Sequence, residues 1–166
     1  MKPLNIEICD VTLRDGEQTP GVSFSCQEKV EIATMLDEIG IEVIEAGFPA
    51  VSQNEAQCVK TIANLGLDAR ICGFSRAREG DIQTAIDCDV DMVSIFIPTS
   101  ELHVRLKFRK PRQEVLEDSL KMIEFARDHG VQVRFAAEDA SRTDLPFLKE
   151  VYQKAAEHGA DRKSVV

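Results

Sequence analysis

The sequence predicts an α/β protein whose parallel sheet is part of a (β/α)8 barrel. Short runs rich in β-branched residues alternate five times with longer amphipathic segments, which is typical of consecutive βα units joined by right-handed crossovers. Neither a G-x-G-x-x-G nor a G-x-x-x-x-G-K-[ST] motif occurs, which disfavours an open nucleotide-binding sheet. A complete barrel takes about 250 residues. The 166 residues would therefore hold about five of the eight units.

Five strands are predicted from the β-branched runs, and each has the length of an ordinary strand. They cover residues 5–9, 42–46, 69–73, 91–98 and 132–136. None of these runs approaches the roughly 20 apolar residues that a membrane-spanning helix needs. The runs therefore indicate a buried sheet.

Five helices are predicted between and after these strands. The tetrads at 25–28 and 52–55 both have the Ser-x-x-Glu form of a capping box, and Gly40 and Gly66 supply the stops of the two helices that follow them. The other three helices are predicted over residues 81–88, 113–128 and 144–157. Pro146 falls in the first turn of the last helix, where proline is tolerated.

Composition limits the possible partners. Hydrophobic residues make up 43% of the chain and charged residues 30%, which suits a globular protein with a core. The net charge of -9 and the absence of Trp argue against binding to nucleic acid or to an anionic membrane through bulk charge. The first residues lack the apolar segment of a signal peptide. We therefore expect a cytoplasmic protein with no nucleic-acid or membrane partner.

Five cysteines are spread along the chain at positions 9, 26, 58, 72 and 88. No C-x-x-C pair occurs, and an odd number of cysteines cannot form a complete set of disulfides. We therefore expect reduced thiols that are mostly buried.

Polar side chains follow the end of every predicted strand except the second, whose glutamate lies within the strand. In parallel α/β folds these ends meet at one rim, where ligand sites form. The residues concerned are Asp10, Thr12, Arg14, Asp15, Glu17, Gln18, Ser75, Arg76, Thr99, Ser100, Glu101, His103, Glu138, Asp139 and Arg142. Loops are polar in any protein, so this pattern favours a functional site without defining it.

Glu45 is the most informative of the acidic residues. It lies in the otherwise apolar run of residues 43–48, where an unpaired carboxylate would be costly to bury. We expect it to be paired with Arg14 or Arg76. Such a pair could serve stability alone or could belong to a site.

Several motifs together resemble the 2-isopropylmalate synthase, homocitrate synthase and citramalate synthase family. Residues 10–21 (DVTLRDGEQTPG) resemble its N-terminal signature, and residues 45–49 (EAGFP) resemble its second-strand motif. Residues 100–103 (SELH) with Lys107, and residues 138–142 (EDASR), are similar to two later loops. The similarity runs in order along almost the whole chain.

The resemblance implies a barrel enzyme that condenses acetyl-CoA with a 2-oxo acid held on a divalent metal. It implies that Asp15 is a metal ligand, for which Mg²⁺ or Mn²⁺ are the first candidates and Zn²⁺ the next. It also implies that Arg14 lies against the keto oxygen and stabilises the alkoxide that develops there. The longer form of such an enzyme is expected to be a homodimer.

Four further residues are carried over from the same motifs. Gln18, Glu45 and Glu138 would line the substrate pocket, and Glu138 would be catalytic, like Arg14. His103 would bind substrate at the entrance of the pocket. The base that removes the acetyl proton is not identified. The basic segment of residues 105–112 is most simply a solvated loop, and the alternative is contact with the phosphates of coenzyme A.

The sequence also departs from the family. No His-x-His pair, which supplies two metal ligands in the family, occurs in it. Residues 163–166 differ from the apolar sixth strand of the family, so we interpret the chain as a truncated N-terminal portion of one catalytic domain and these residues as not native.

Two alternative functions remain open. The first is a related metal-dependent lyase, aldolase or carboxyltransferase barrel. The second is a non-catalytic βα fragment that needs a partner chain. The identity of the 2-oxo acid is also open.

Overall fold

The computed structural model describes residues 6–165 and contains one curved sheet of six parallel strands. The strands are β1 (Cys9–Asp10), β2 (Val43–Gly47), β3 (Arg70–Arg76), β4 (Met92–Pro98), β5 (Gln132–Glu138) and β6 (Arg162–Val165). They lie in the order β1-β2-β3-β4-β5-β6, so each crossover leads to the adjacent strand. Five complete βα units and a sixth strand thus form a partial (β/α)8 barrel, as predicted.

Within residues 6–165, six α-helices connect or follow the strands. They are α1 (Cys26–Glu38), α2 (Gln53–Ala63), α3 (Glu79–Ile86), α4 (Glu101–Lys107), α5 (Arg112–Asp128) and α6 (Leu145–Glu157). The capping box at Ser25 is confirmed. The second predicted box is wrong, because Ser52 caps α2 but the carboxylate of Glu55 binds Lys29 and the backbone N–H of Phe48 instead. Within the described residues, no helix is long and apolar enough to span a membrane.

Three elements differ from the prediction. The first strand is reduced to two residues, and residue 5, where it was expected to begin, lies outside the described residues. Helix α4 replaces part of the expected basic loop, because Ser100 caps it by accepting a hydrogen bond from the N–H of His103. Strand β6 was not predicted, since its sequence RKSV is mostly polar. That residues 163–166 are not native stays a prediction.

Alternation along the strands separates the two faces of the sheet. Ile44, Val93 and Phe135 face the helices and lie in the main hydrophobic core. Val43, Cys72 and Met92 form a small second cluster on the inner face, next to Cys9. Glu45 is on this inner face too, since it alternates with Ile44 along β2.

The expectation that all cysteines are reduced is wrong. Cys26 and Cys58 form a disulfide between α1 and α2, with their Cα atoms 5.5 Å apart. The two helices pack side by side and bring together residues that are 32 positions apart in sequence, which spacing alone does not reveal. Cys9, Cys72 and Cys88 are free.

The disulfide gives the first testable prediction. Alkylation of the unfolded, unreduced chain should label three cysteines, and prior reduction should raise the number to five. Replacing both Cys26 and Cys58 by Ser should lower the free energy of unfolding in urea by about 3 kcal/mol, because the cross-link no longer restricts the unfolded chain. In a Cys88→Ser control, stability should still depend on reduction. Five labels without reduction, found by intact mass spectrometry, would contradict the disulfide.

Candidate active site

A cleft of about 620 Å³ opens at the carboxyl ends of the strands. Four of the six residues predicted to act in catalysis or binding line it, namely Arg14, Asp15, Gln18 and Glu138. Arg14 and Asp15 come from the loop after β1, and Gln18 from the short 3-10 turn Gly16–Gln18 in the same loop. Glu138 is the last residue of β5. Residues far apart in sequence therefore meet at the rim formed by the carboxyl ends of the strands.

Glu45 is fully buried and joins two arginines below this cleft. Its Oε2 accepts a hydrogen bond from Arg14 Nε at 2.9 Å and lies 2.7 Å from Arg14 Nη2. Its Oε1 is paired with Arg134 Nη2. The expected pairing with Arg14 is thus confirmed, whereas Arg76 is paired with Asp81 and does not reach Glu45.

Arg134 is the main site residue that sequence reasoning missed. It lies on β5 and donates to Ser94 Oγ at 3.1 Å and to Cys9 Sγ at 3.0 Å, in addition to Glu45. The signal was present, because Arg134 is the only charged residue of the predicted strand 132–136 and alternates there with Val133 and Phe135, so it should face the inner side. Glu45 thus holds two guanidiniums, and Asp15 is a second carboxylate on Arg14.

Aromatic rings form the apolar wall of the cleft. Phe74 and Phe96 are stacked with ring centroids 4.5 Å apart, and Phe48 meets Phe74 edge-on at 5.6 Å. The guanidinium of Arg14 lies 4.1 Å above the Phe74 ring. A cation–π contact of this kind stabilises a partly desolvated guanidinium. Arg14 is therefore fixed on one side by Glu45 and on another by Phe74.

Asp15 lies at the edge of the cleft and is 59% exposed. Its Oδ1 is 2.8 Å from Arg14 Nη1, so the carboxylate is available at the rim but already has a cationic partner. Among residues 6–165, no group of three His, Cys, Asp or Glu side chains is arranged to hold a metal ion. The described residues therefore do not fit a complete metal site, although Asp15 could supply one oxygen ligand.

His103 and Glu138 face each other across the wall of the cleft. His103 Nδ1 is 3.5 Å from Glu138 Oε1, and His103 Nε2 is 3.8 Å from Asp139 Oδ2. Lys107 is paired with the same Glu138 oxygen. His103 Nδ1 and Glu138 Oε2 are buried and have no hydrogen-bond partner among the described residues. His103 does not itself line the cleft, and its role in substrate binding stays a prediction.

Asp139 supports this wall. It has a left-handed backbone conformation, with φ of 57°, and its Oδ2 accepts a hydrogen bond from Ser100 Oγ at 2.5 Å. This hydrogen bond, together with the charges of Arg142 and His103, holds the pKa of Asp139 below its ordinary value. Asp139 is therefore a fixed negative charge between α4 and the end of β5.

Lys29 is a second residue that sequence reasoning missed. It is 1% exposed, and its Nζ lies 2.7 Å from Glu17 Oε2 and 2.9 Å from Glu55 Oε2. Burial alone would lower the pKa of Lys29, but the hydrogen bonds to Glu17 and Glu55 raise it above the ordinary value. Glu17 belongs to the loop that carries Arg14. Lys29 therefore ties this loop to α1 and α2.

Glu55 extends the same network to the second strand. Its Oε1 accepts the N–H of Phe48 at 3.1 Å. A Cβ on Gly47 would collide with Glu55 Oε1 and lie 3.0 Å from Val59 Cγ2, so glycine is required there. The turn after β2 is thus fixed directly beside Glu45.

The inner-face thiols are held in the protonated form. Burial raises the pKa of Cys9, although the nearby Arg134 acts in the opposite direction. Burial also raises the pKa of Cys72 far above its ordinary range. Neither thiol is therefore an activated nucleophile.

A partial (β/α)8 barrel whose charged side chains converge at the carboxyl ends of its strands has the architecture of a barrel enzyme domain. The chain belongs to the HMGL-like family, whose model matches residues 5–165. Among solved structures, the HMG-CoA lyase of Bacillus subtilis superposes with a TM-score of 0.82 at 18% identity, covering 98% of this chain and 58% of that one. The lyase of Pseudomonas aeruginosa gives 0.80 at 20% identity, with the same coverage.

Curated relatives are much more similar in sequence. Homocitrate synthase AksA of Methanosarcina acetivorans is 56% identical over 153 residues, which are 92% of this chain and 38% of the relative. A probable 2-isopropylmalate synthase of Methanopyrus kandleri is 55% identical over 163 residues, 98% of this chain and 33% of the relative. A putative (R)-citramalate synthase of the same organism is 48% identical over 160 residues, 96% and 31% respectively. The chain thus spans about a third of these relatives.

Lys29→Met should destabilise the fold strongly. The substitution leaves the carboxylates of Glu17 and Glu55 together without a cation, and we expect the free energy of unfolding to fall by about 3 kcal/mol. The control Lys60→Met removes a lysine that is paired on the surface with Asp89, and it should cost less than about 1 kcal/mol. Equal losses in urea denaturation would show that Lys29 is not a structural tie.

Ser100→Ala should raise the pKa of Asp139 towards the ordinary value. The ionised carboxylate then contributes less stability at neutral pH. Its loss on acidification begins near the unfolded-state pKa in both proteins, but it is complete at a higher pH in the variant. Ser100→Thr retains a hydroxyl donor and should keep the pKa low. A carbon-13 NMR titration of the Asp139 carboxyl measures this directly. An unchanged pKa in the Ala variant would mean that another group lowers it.

Proposed function

We propose that the chain is part of an acyltransferase that condenses acetyl-CoA with a 2-oxo acid. The observation that carries the proposal is the pair of guanidiniums held by buried Glu45 below the cleft. Arg14 and Arg134 both line the cleft and keep further N–H donors after they bind Glu45 and Asp15, and a 2-oxo acid carries a carboxylate and a carbonyl oxygen that can accept them. The aromatic wall suits the remaining carbon skeleton.

The sequence relatives support this reaction class over the alternatives. The similar curated proteins are called homocitrate, 2-isopropylmalate and citramalate synthases, and each matches nearly the whole chain. The solved HMG-CoA lyases are 18–20% identical and support the shared fold alone. A lyase, aldolase or carboxyltransferase activity is therefore the weaker alternative.

Each predicted residue has a role in this proposal. Arg14 donates to the keto oxygen and stabilises the alkoxide that forms when the acetyl carbon attacks, since its guanidinium is fixed before the charge develops. Glu45 keeps Arg14 and Arg134 in place. Gln18 and Glu138 border the bound acid, and His103 lies behind Glu138 at the wall and would contact substrate at the entrance.

A divalent metal is expected from the resemblance, with Asp15 as one ligand. The oxygen of Asp15 suits Mg²⁺ or Mn²⁺, and Zn²⁺ less well. The described residues do not place Asp15 in a group of three metal ligands. We further propose a cytoplasmic enzyme that is homodimeric in its longer form.

Binding of the 2-oxo acid tests the proposal on this chain. Calorimetric titrations with pyruvate, 2-oxoisovalerate and 2-oxoglutarate should detect one site, and Arg14→Lys should lower its affinity about tenfold, because an ammonium cannot bridge Glu45 and a substrate oxygen as a planar guanidinium does. The control Arg70→Lys changes an arginine paired with Glu7, away from the cleft, and should bind normally. Equal affinities for both variants would reject the assigned role of Arg14.

Turnover by the 166-residue chain alone should be undetectable. Among the described residues no group of three metal ligands is formed, and the substrates need near-attack geometry. A thiol-release assay with acetyl-CoA, each 2-oxo acid, and Mg²⁺, Mn²⁺ or Zn²⁺ measures this. Metal-dependent turnover by the folded monomer would contradict the expectation and would require another ligand set.

A further inference from the structure

A second cleft, of about 750 Å³, lies on the other side of helix α4 from Glu138. Four basic residues line it, namely Arg105, Lys110, Arg112 and Arg142, against the two acidic residues Glu101 and Asp144. The volume is in the range of about 300–1,000 Å³ that small-molecule and cofactor sites occupy. The residues assigned to the first cleft do not include these basic residues.

The charge of this region contrasts with the rest of the chain. Residues 105–112 contain five basic and no acidic residues, whereas the whole chain has a net charge of -9. Arg109 adopts a left-handed conformation, with φ of 55°, just after α4. This turn brings Lys110 and Arg112 back to the cleft that Arg105 lines from the helix.

The basic side chains of the second cleft have few or only weak carboxylate partners. Arg105 has no carboxylate within 4.0 Å among the described residues. Lys110 is paired with Glu114 and Asp118, and Arg112 with Asp144, at partly exposed positions where ion pairs contribute little. A guanidinium has five donors, so Arg112 and Arg142 can keep their carboxylates and still bind an anion.

The two clefts share a wall. Arg142 donates to Asp139 Oδ1 at 2.9 Å, and Asp139 accepts from Ser100 at the start of α4. Lys107, on the same seven-residue helix as Arg105, is paired with Glu138 of the first cleft. A long ligand could therefore reach both clefts around one short helix. Leu102 is exposed and lines the second cleft, where it offers an apolar contact.

We propose that the second cleft binds a polyphosphate group carried by a nucleotide. That this polyphosphate belongs to the nucleotide part of acetyl-CoA rests on the proposed function. The basic residues neutralise the phosphates, and the thioester end extends towards Glu138 and the first cleft. The basic segment is then a binding element and not only a solvated loop.

Calorimetry on the 166-residue chain tests this with acetyl-CoA, ADP and S-acetylpantetheine, which lacks the nucleotide phosphates. The double variant Arg105→Gln/Lys110→Gln should weaken acetyl-CoA and ADP about tenfold. The matched double variant Lys60→Gln/Arg70→Gln, elsewhere on the surface, should change affinity less than about twofold. S-acetylpantetheine should bind more weakly than acetyl-CoA, and added salt should reduce this difference. Thermal melts verify that both variants are folded.

The outcomes separate the two proposals. If acetyl-CoA binds equally well to the cleft variant and the wild type, the second cleft is not the phosphate site, although the proposed function stands. If ADP binds in the cleft and acetyl-CoA does not bind at all, the polyphosphate site stands and the proposed function fails. Absence of binding by both ligands, or equal weakening in the control variant, overturns the polyphosphate site.

Discussion

The buried carboxylate of Glu45 is the constraint on which the site depends. A carboxylate in an apolar sheet is costly unless its charge is compensated, and two arginines from the β1 loop and from β5 compensate it here. This requirement brings together segments that are 31 and 89 residues away from Glu45 in sequence. It also leaves guanidinium donors directed at the cleft. Stability and the proposed recognition of an anionic substrate thus have the same physical cause.

A second ion cluster keeps this arrangement in place from outside the sheet. Lys29 on α1 holds Glu17 of the Arg14 loop and Glu55 of α2, and Glu55 holds the backbone after β2. The Cys26–Cys58 disulfide joins the same two helices. The loop with Arg14 and Asp15 has only a 3-10 turn of its own, so its position depends on these contacts.

Repeating sequence patterns made most of the fold predictable. The features that could not be predicted depend on contacts between residues far apart in sequence. Alternating strands and helices with glycine stops predicted five βα units, and the motif of residues 10–21 singled out Arg14, Asp15 and Gln18, which line the cleft. Strand β6 was missed because RKSV lacks apolar periodicity, and its order comes from pairing with β5. The disulfide, Lys29 and the partnership of Arg134 with Glu45 depend on which helices and strands become neighbours. The partners in these contacts cannot be read from local sequence, although the central position of Arg134 in its strand indicated which face of the sheet it would occupy.

A crystal structure of this chain with a bound 2-oxo acid, such as 2-oxoisovalerate, tests the central claim most directly. The account predicts that the acid lies in the first cleft, with at least one of its oxygens hydrogen-bonded to Arg14, while Glu45 remains between Arg14 and Arg134. An acid bound elsewhere, or one in the cleft without contact to either arginine, would contradict the claim that the Glu45-held guanidiniums form the substrate site.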